Sequence, residues 1–236
     1  MIVLLATLAS AIPVAVWLSV FFNKSEKGKK QVILIFLLGC LTAPALLGLQ
    51  HLWSIFPNFD LANLIENGAS NQTLKFILTF TLFAAMEELI KLYVIKAVDE
   101  RTLLIQTVND AVKYSVVSAL GFSFIENAYY LYQFWPQLST GEFFGLYIFR
   151  SVFTSCAHII FSGIFGYYYG IGKYSIVMTH HEKLSNGISQ TTKWIAKLFH
   201  LPLSEGFRQK TVLKGLFIAI AIHAAFNFLL QVNKTL

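Results

Sequence analysis

The sequence predicts an all-α, polytopic transmembrane bundle of about six spans with its N-terminus outside the cell. Three observations carry that expectation. Only 13% of the 236 residues are charged while 56% are hydrophobic, where soluble domains carry about a quarter charged. The apolar residues gather in six stretches, each long enough to cross ~30 Å of hydrocarbon as a helix of about 20 residues. Lys and Arg are dense in one connection and absent from the next, the pattern of a topology fixed by basic cytoplasmic loops. Lipid offers no partner to backbone N–H and C=O groups, so apolar runs of this length are helices. A single integral membrane domain, residues 1–236, accounts for the chain.

The first span, about 2–22, lacks the basic leader of a secretory signal and is followed by Lys24, Lys27, Lys29 and Lys30. It reads as a retained span that leaves the N-terminus outside. The second, about 32–56, carries Pro44, which should interrupt it, and ends at His51, Trp53 and Pro57, residues suited to an interface. A connection without Lys or Arg follows, about 57–73, holding Asp60 and Glu66. The third span, about 74–98, leads into Lys96, Arg101 and Lys113, and the fourth covers about 111–134. The next connection, about 135–142, again has no Lys or Arg and holds Glu142.

The fifth span, about 143–172, is long enough to tilt or to extend past the bilayer. It opens into the largest connection, about 173–211, which with its flanks carries Lys173, Lys183, Lys193, Lys197, Arg208, Lys210 and Lys214. The sixth span covers about 212–232. Odd connections are therefore cytoplasmic, and Trp53, Trp135 and Tyr147 fall near the outer interface, where amphipathic rings belong. Between Gly187 and Leu201, the apolar Ile188, Trp194, Ile195, Leu198 and Phe199 alternate with Lys193 and Lys197. That stretch is an amphipathic helix lying on the inner surface. His180 and His181 beside it read as a solvated pair.

The net charge of +6 does not mark a nucleic-acid binder, because the basic residues sit at membrane borders and no recognition motif accompanies them. Anionic lipid headgroups are their natural counterpart. Cys40 and Cys156 lie inside apolar runs, which is neither a disulfide framework nor a zinc-ribbon spacing.

The chemistry lies in the residues that do not belong in lipid. An ionisable side chain at a span centre costs about 2.5–3.5 kcal/mol. This chain places Glu87, Glu88 and Lys91 in the third span, Glu126 in the fourth, Arg150 and His158 in the fifth, and His223 with Asn227 in the sixth. The summed penalty is on the order of 10 kcal/mol or more before pairing reduces it. The span centres fall at about residues 86, 158 and 222, so Glu87, His158 and His223 share one depth. Glu126 sits about 5 Å nearer the outer face. Glu87 and Glu88 lie within one turn of Lys91, and His223 shares a helix face with Asn227, as Glu126 does with Tyr130. Four helices can thus turn carboxylates, imidazoles and an amide into one polar cavity, with a base for water and a donor for an oxyanion.

GxSxG, GxGD and HExxH signatures are absent. A Ser162–His158 dyad is possible by spacing but leaves the glutamates idle, and Cys156 lies nearly opposite His158 on its helix. A glutamate/histidine site remains, in one of two forms. A Glu accepts a proton from water that a His helps polarise, or His158, His223 and Glu126 bind Zn²⁺, which lowers the pKa of water. Spacing does not choose between them, so no cofactor is committed and zinc stays open.

Four segments then resemble, in order, the motifs of the PrsW family of intramembrane proteases. Met86-Glu87-Glu88-Leu89-Ile90-Lys91 resembles its EExxK motif, and Phe122 to Tyr130, with Glu126-Asn127, its FxxxEN segment. The run from Arg150 through His158 to Gly166 and Tyr167-Tyr168-Tyr169-Gly170 resembles its third motif. His223-Ala224-Ala225-Phe226-Asn227 resembles the last, HxxxD or HxxxN. Together they cover about residues 74–232.

The resemblance implies a bacterial plasma-membrane enzyme that cleaves single-pass membrane proteins, as in site-1 cleavage of an anti-sigma factor. It also implies kinship with the CAAX prenyl protease and bacteriocin-immunity (Abi) superfamily. By that kinship Glu87 or Glu88 is the general base, and Glu126 stands where relatives have a histidine. His158, His223 and Asn227 fill the remaining positions, with Lys91 and Arg150 in support. Asn227 replaces the Asp of some members. Two competing readings are a proton-coupled transporter, whose intramembrane Glu and His relay protons, and a non-catalytic Abi-like membrane protein.

Overall fold

The computed structural model describes residues 2–23, 29–102, 104–174, 189–199 and 202–235, and among these there is no strand. In chain order the helices are α1 (Ile2–Asn23), α2 (Lys29–Ile55), α3 (Leu61–Gly68), α4 (Gln72–Thr102), α5 (Val108–Phe134), α6 (Thr140–Phe149), α7 (Ser155–Lys173), α8 (Gln190–Leu198) and α9 (Leu203–Thr235). A π turn, Arg150–Thr154, joins α6 to α7 into one rod. The Lys24, Lys27, Lys183, His180 and His181 of the connections, and the ends of the expected 187–201 helix, lie outside the described residues.

Each expected span falls within one long helix or rod or overlaps it closely, with ends displaced by a few residues except in α9, which starts about two turns earlier, at Leu203. Four (α1, α2, the α6–α7 rod and α9) are long and apolar enough to cross a membrane. The other two, α4 and α5, have 31 and 27 residues but carry their polar residues mid-helix. Their polar residues turn inward: α5 packs on α1, α2 and α7, and α4 packs on α2 and α9 while Leu89 and Tyr93 face outward.

One local expectation fails. Pro44 does not interrupt α2, which runs through it from Lys29 to Ile55. Here α2 lies in backbone contact with α5, and tertiary packing holds the helix across the missing N–H. The 57–73 connection is itself partly helical. It folds into α3, N-capped by Asp60, whose carboxylate accepts from the Ala62 and Asn63 N–H groups. Ser139 and Glu142 form a reciprocal cap that starts α6.

Glycines set how closely the inner helices approach. A Cβ on Gly39 would stand 2.1 Å from the Ser118 carbonyl oxygen, and one on Gly121 would stand 2.2 Å from that of Phe36. Gly166 and Gly170 seat α7 against Ala111, Ser115 and Val108 of α5 in the same manner. Small residues permit this backbone contact where no hydrophobic effect drives helices together. Gly121→Ala is therefore expected to lower stability by about 3 kcal/mol, read as a fall in melting temperature in detergent. Gly48→Ala, with nothing within 4 Å, should leave it unchanged.

α8 packs Thr192, Ile195 and Ala196 onto α9, where Gly206 lets the two helices touch. Trp194, Leu198 and Phe199 stay exposed beside Lys193 and Lys197, the division of faces expected of an interfacial helix.

Candidate active site

The polar residues of α4, α5, the α6–α7 rod and α9 meet in one cluster. On α4, Glu88 and Lys91 are one turn apart and paired at 2.9 Å, each 2% exposed. Glu88 Oε1 also accepts from His223 Nδ1 at 2.9 Å. A lysine ammonium only donates, so the 3.1 Å contact of Lys91 Nζ with His158 Nδ1 makes that nitrogen an acceptor. The proton of His158 is then on Nε2 and points to Glu126 Oε2, 3.1 Å away. The rings of His158 and His223 stand edge to face at 5.3 Å, and Phe122 and Phe161 wall them in.

A second group holds Glu126. Arg150 Nη2 donates to Glu126 Oε2 at 2.7 Å, its Nε donates to Asn127 Oδ1 at 2.9 Å, and Tyr130 lies flat under the guanidinium at 3.8 Å. The π turn makes this reach possible. It inserts a wide turn into the α6–α7 rod and leaves the Arg150 carbonyl bonded to the Ser155 N–H, the Ser155 hydroxyl and the Asn127 amide. π turns of this kind recur at functional sites. Asn127 is fixed in turn by Ser123 and Ser155.

Glu87, next in sequence to Glu88, is different. Its Oε2 is buried and has no hydrogen-bond partner. Lys91 Nζ is 3.9 Å away and His223 Nε2 3.7 Å away, both beyond a hydrogen bond. With the neutral ring donating through Nδ1 to Glu88, His223 Nε2 carries a lone pair facing Glu87.

The structure thus brings together Glu87, Glu88, Lys91, Glu126, Arg150, His158 and His223. Asn227 lines the same cavity one turn from His223. Ser162 Oγ has no partner, so the Ser162–His158 dyad is not formed. Cys40 and Cys156 are free thiols. Asn127 and the π turn were missed as site elements; only the adjacency Glu126-Asn127 hinted at the first, and no sequence signal marks the second.

A donor group suited to a metal ion takes Glu87 in place of the expected Glu126. One ligand atom each from Glu87, His158 and His223 lie within 4.8 Å of one another. The fit has three supports. Glu87 Oε2 is an orphaned carboxylate oxygen. His223 Nε2 is an open lone pair whose ring is held by a carboxylate on its other nitrogen, the usual support of a zinc histidine. Two imidazoles and a carboxylate are a zinc-type set, which His158 joins by releasing either Lys91 or Glu126 from its ring nitrogens. Glu126 departs from that set because Arg150 and His158 already occupy its Oε2.

A cavity of about 960 Å³ opens onto this cluster. Its walls include Leu47 and Gln50 of α2, Phe80 and Phe83 of α4, Gln133 and Phe134 of α5, Gly145 and Leu146 of α6, and Leu230 and Gln231 of α9. All of these lie towards the end of the bundle where α4 begins and α2, α5 and α9 finish. That end carries the two connections without Lys or Arg. The cluster itself is the floor, and no lining residue lies more than about one turn beyond it.

Residues 27–236 match the family described as PrsW family intramembrane metalloprotease. No curated protein and no solved structure matches the chain. The match takes in every residue of the cluster and of the cavity, and a floor of buried carboxylates and imidazoles facing an apolar-walled opening is what hydrolysis within a bilayer needs. The chain belongs to the PrsW family: it is a membrane-embedded peptidase that acts on substrates within the lipid bilayer.

Proposed function

We propose that this peptidase cuts single-pass membrane proteins near their outer membrane boundary, by water activated at Glu87. The observation that carries this reading is the unpaired Glu87 Oε2 in a cavity whose other walls lie towards the end of the bundle with the connections free of Lys and Arg. In this reading all six long helices cross the membrane with both termini outside. The basic connections then face the cytoplasm and the cavity opens outward. By resemblance, the setting is a bacterial plasma membrane and the reaction a site-1 cleavage of the anti-sigma-factor type.

The roles follow from which lone pairs are free. Glu87 takes the proton of the attacking water and returns it to the departing amine, with no covalent intermediate. Glu88 is committed elsewhere: its Oε1 accepts from both Lys91 and His223, and it orients His223. His223 Nε2 fixes the water from the side opposite Glu87. Asn227, one turn nearer the mouth, has an amide to offer the carbonyl oxygen as charge develops there. Arg150 and Asn127 hold Glu126, and Glu126 with Lys91 holds the His158 ring in one tautomer. Zinc held by Glu87, His223 and a His158 freed from Lys91 or Glu126 would add Lewis acidity at the same point, polarising the carbonyl and acidifying water.

The test is cleavage of a panel of single-pass membrane proteins in nanodiscs. Wild-type protein should cut at least one on the outer side of its span. Purified without chelator it should hold about one equivalent of zinc, His223→Ala should lose it, and phenanthroline should stop cleavage until zinc is restored. Cleavage at full rate by metal-free protein would remove the zinc from this reading. Failure to cut any member of the panel, with proton-coupled uptake in liposomes instead, would remove the peptidase assignment of the site.

A further inference from the structure

One polar group at the cavity wall has no role in the chemistry above. Thr154 ends the π turn and lies between Arg150 and His158 along the rod, about one turn from each. It lines the cavity and is only 6% exposed. Its Oγ1 is buried and has no hydrogen-bond partner. Ser115, Ser118 and Ser162 are also buried hydroxyls without partners, but none of them lines the cavity.

The reason Thr154 is unpaired is local. A threonine within a helix ordinarily returns its hydroxyl to the carbonyl four residues back. For Thr154 that carbonyl belongs to Arg150. Its oxygen already accepts from the Ser155 N–H, the Ser155 hydroxyl at 3.1 Å and the Asn127 amide at 3.4 Å. The polar clamp that seats Arg150 therefore denies Thr154 its usual acceptor. Rotation of χ1 between staggered wells exchanges its methyl for its hydroxyl at the cavity wall, and any acceptor arriving there relieves an unsatisfied donor.

We propose that Thr154 binds substrate, its hydroxyl donating to a main-chain carbonyl of an unwound stretch just outside the scissile bond. The acceptor must be a peptide carbonyl of non-helical backbone, since a helical segment in lipid has its carbonyls bonded internally and must open before it can be cut. The contact exists in bound substrate and transition state alike, so it acts on binding and not on the chemical step. This inference rests on the peptidase reading and adds to it a contact that selects for locally unwound substrate.

The experiment compares wild type, Thr154→Val and Thr154→Ser on the single-pass protein that wild type cuts best in the panel above. Thr154→Val should raise KM about 5- to 10-fold with kcat within about 2-fold, and Thr154→Ser should restore wild-type values. The melting temperature of Thr154→Val should equal or exceed that of wild type, because no bond inside the protein is lost. A fall in melting temperature would mean that the hydroxyl has a structural partner, and would overturn the proposal even without a cleavage assay. Wild type that cuts while Thr154→Val matches it removes this contact alone. Wild type that cuts nothing removes the peptidase reading and this contact together.

Discussion

Glu87→Gln is expected to reduce cleavage by about 10²- to 10⁴-fold and to leave the melting temperature at or above that of wild type. Glu88→Gln is expected to lower the melting temperature by on the order of 10 °C, with activity falling as a consequence. Two adjacent glutamates of one helix are thus predicted to fail in different ways. Glu88 accepts from Lys91 and from His223 at 2.9 Å each. Neutralising it leaves an ammonium buried at 2% exposure without its carboxylate, a loss of about 3–5 kcal/mol. Glu87 Oε2 accepts from nothing, so the amide removes no hydrogen bond and relieves the burial of a charge.

The paired measurement is cleavage of a reconstituted substrate and thermal unfolding of the same preparations. Active Glu87→Gln protein would transfer the base to another residue. Stable, inactive Glu88→Gln protein would make Glu88 the reacting carboxylate and leave Glu87 as its neighbour.

Much of the fold was legible because membrane constraints are one-dimensional. Apolar length and the placement of Lys and Arg fix where helices begin and end, and the six expected spans fall on six long helices or rods. Depth was legible for the same reason: Glu87, His158 and His223 lie at one level because 1.5 Å per residue is reliable in a helix. What depth cannot give is azimuth. Glu87 and Glu88 differ by about 100° around α4, and that rotation leaves Glu87 Oε2 unpaired while Glu88 Oε1 takes two donors. The same ignorance of rotation put Glu126 in the expected metal set in place of Glu87. The π turn at Arg150–Thr154 was illegible because it depends on Asn127 and Ser155 converging on one carbonyl from two helices. Helix α3 was passed over for another reason. Its eight residues, Leu61–Gly68, are too few to span, so apolar length does not reveal it.

The Arg150 clamp carries the other large expectation. Arg150→Met, which keeps the length and loses the charge, should destabilise the protein by about 3–5 kcal/mol, while Arg150→Ala should do at least as much harm. The guanidinium makes the shortest contact in the cluster, 2.7 Å to Glu126 Oε2, and also holds Asn127 and stacks on Tyr130. Without it, a carboxylate is left in a wall built of Phe122, Phe149 and Phe161 with His158 as its remaining partner. Lysine is no substitute, since one point charge cannot reach Glu126 and Asn127 together or lie flat on a ring. The decisive comparison is the double variant. If the damage comes from the stranded charge, Glu126→Gln in the Arg150→Met background should recover a large part of the lost stability, because removing both partners of a buried pair is far milder than removing one. If instead the clamp matters mainly by shaping the π turn, the double variant should be no more stable than the single one. In that case Asn127→Ala alone should reproduce the loss, since Asn127 holds both the Arg150 side chain and its carbonyl.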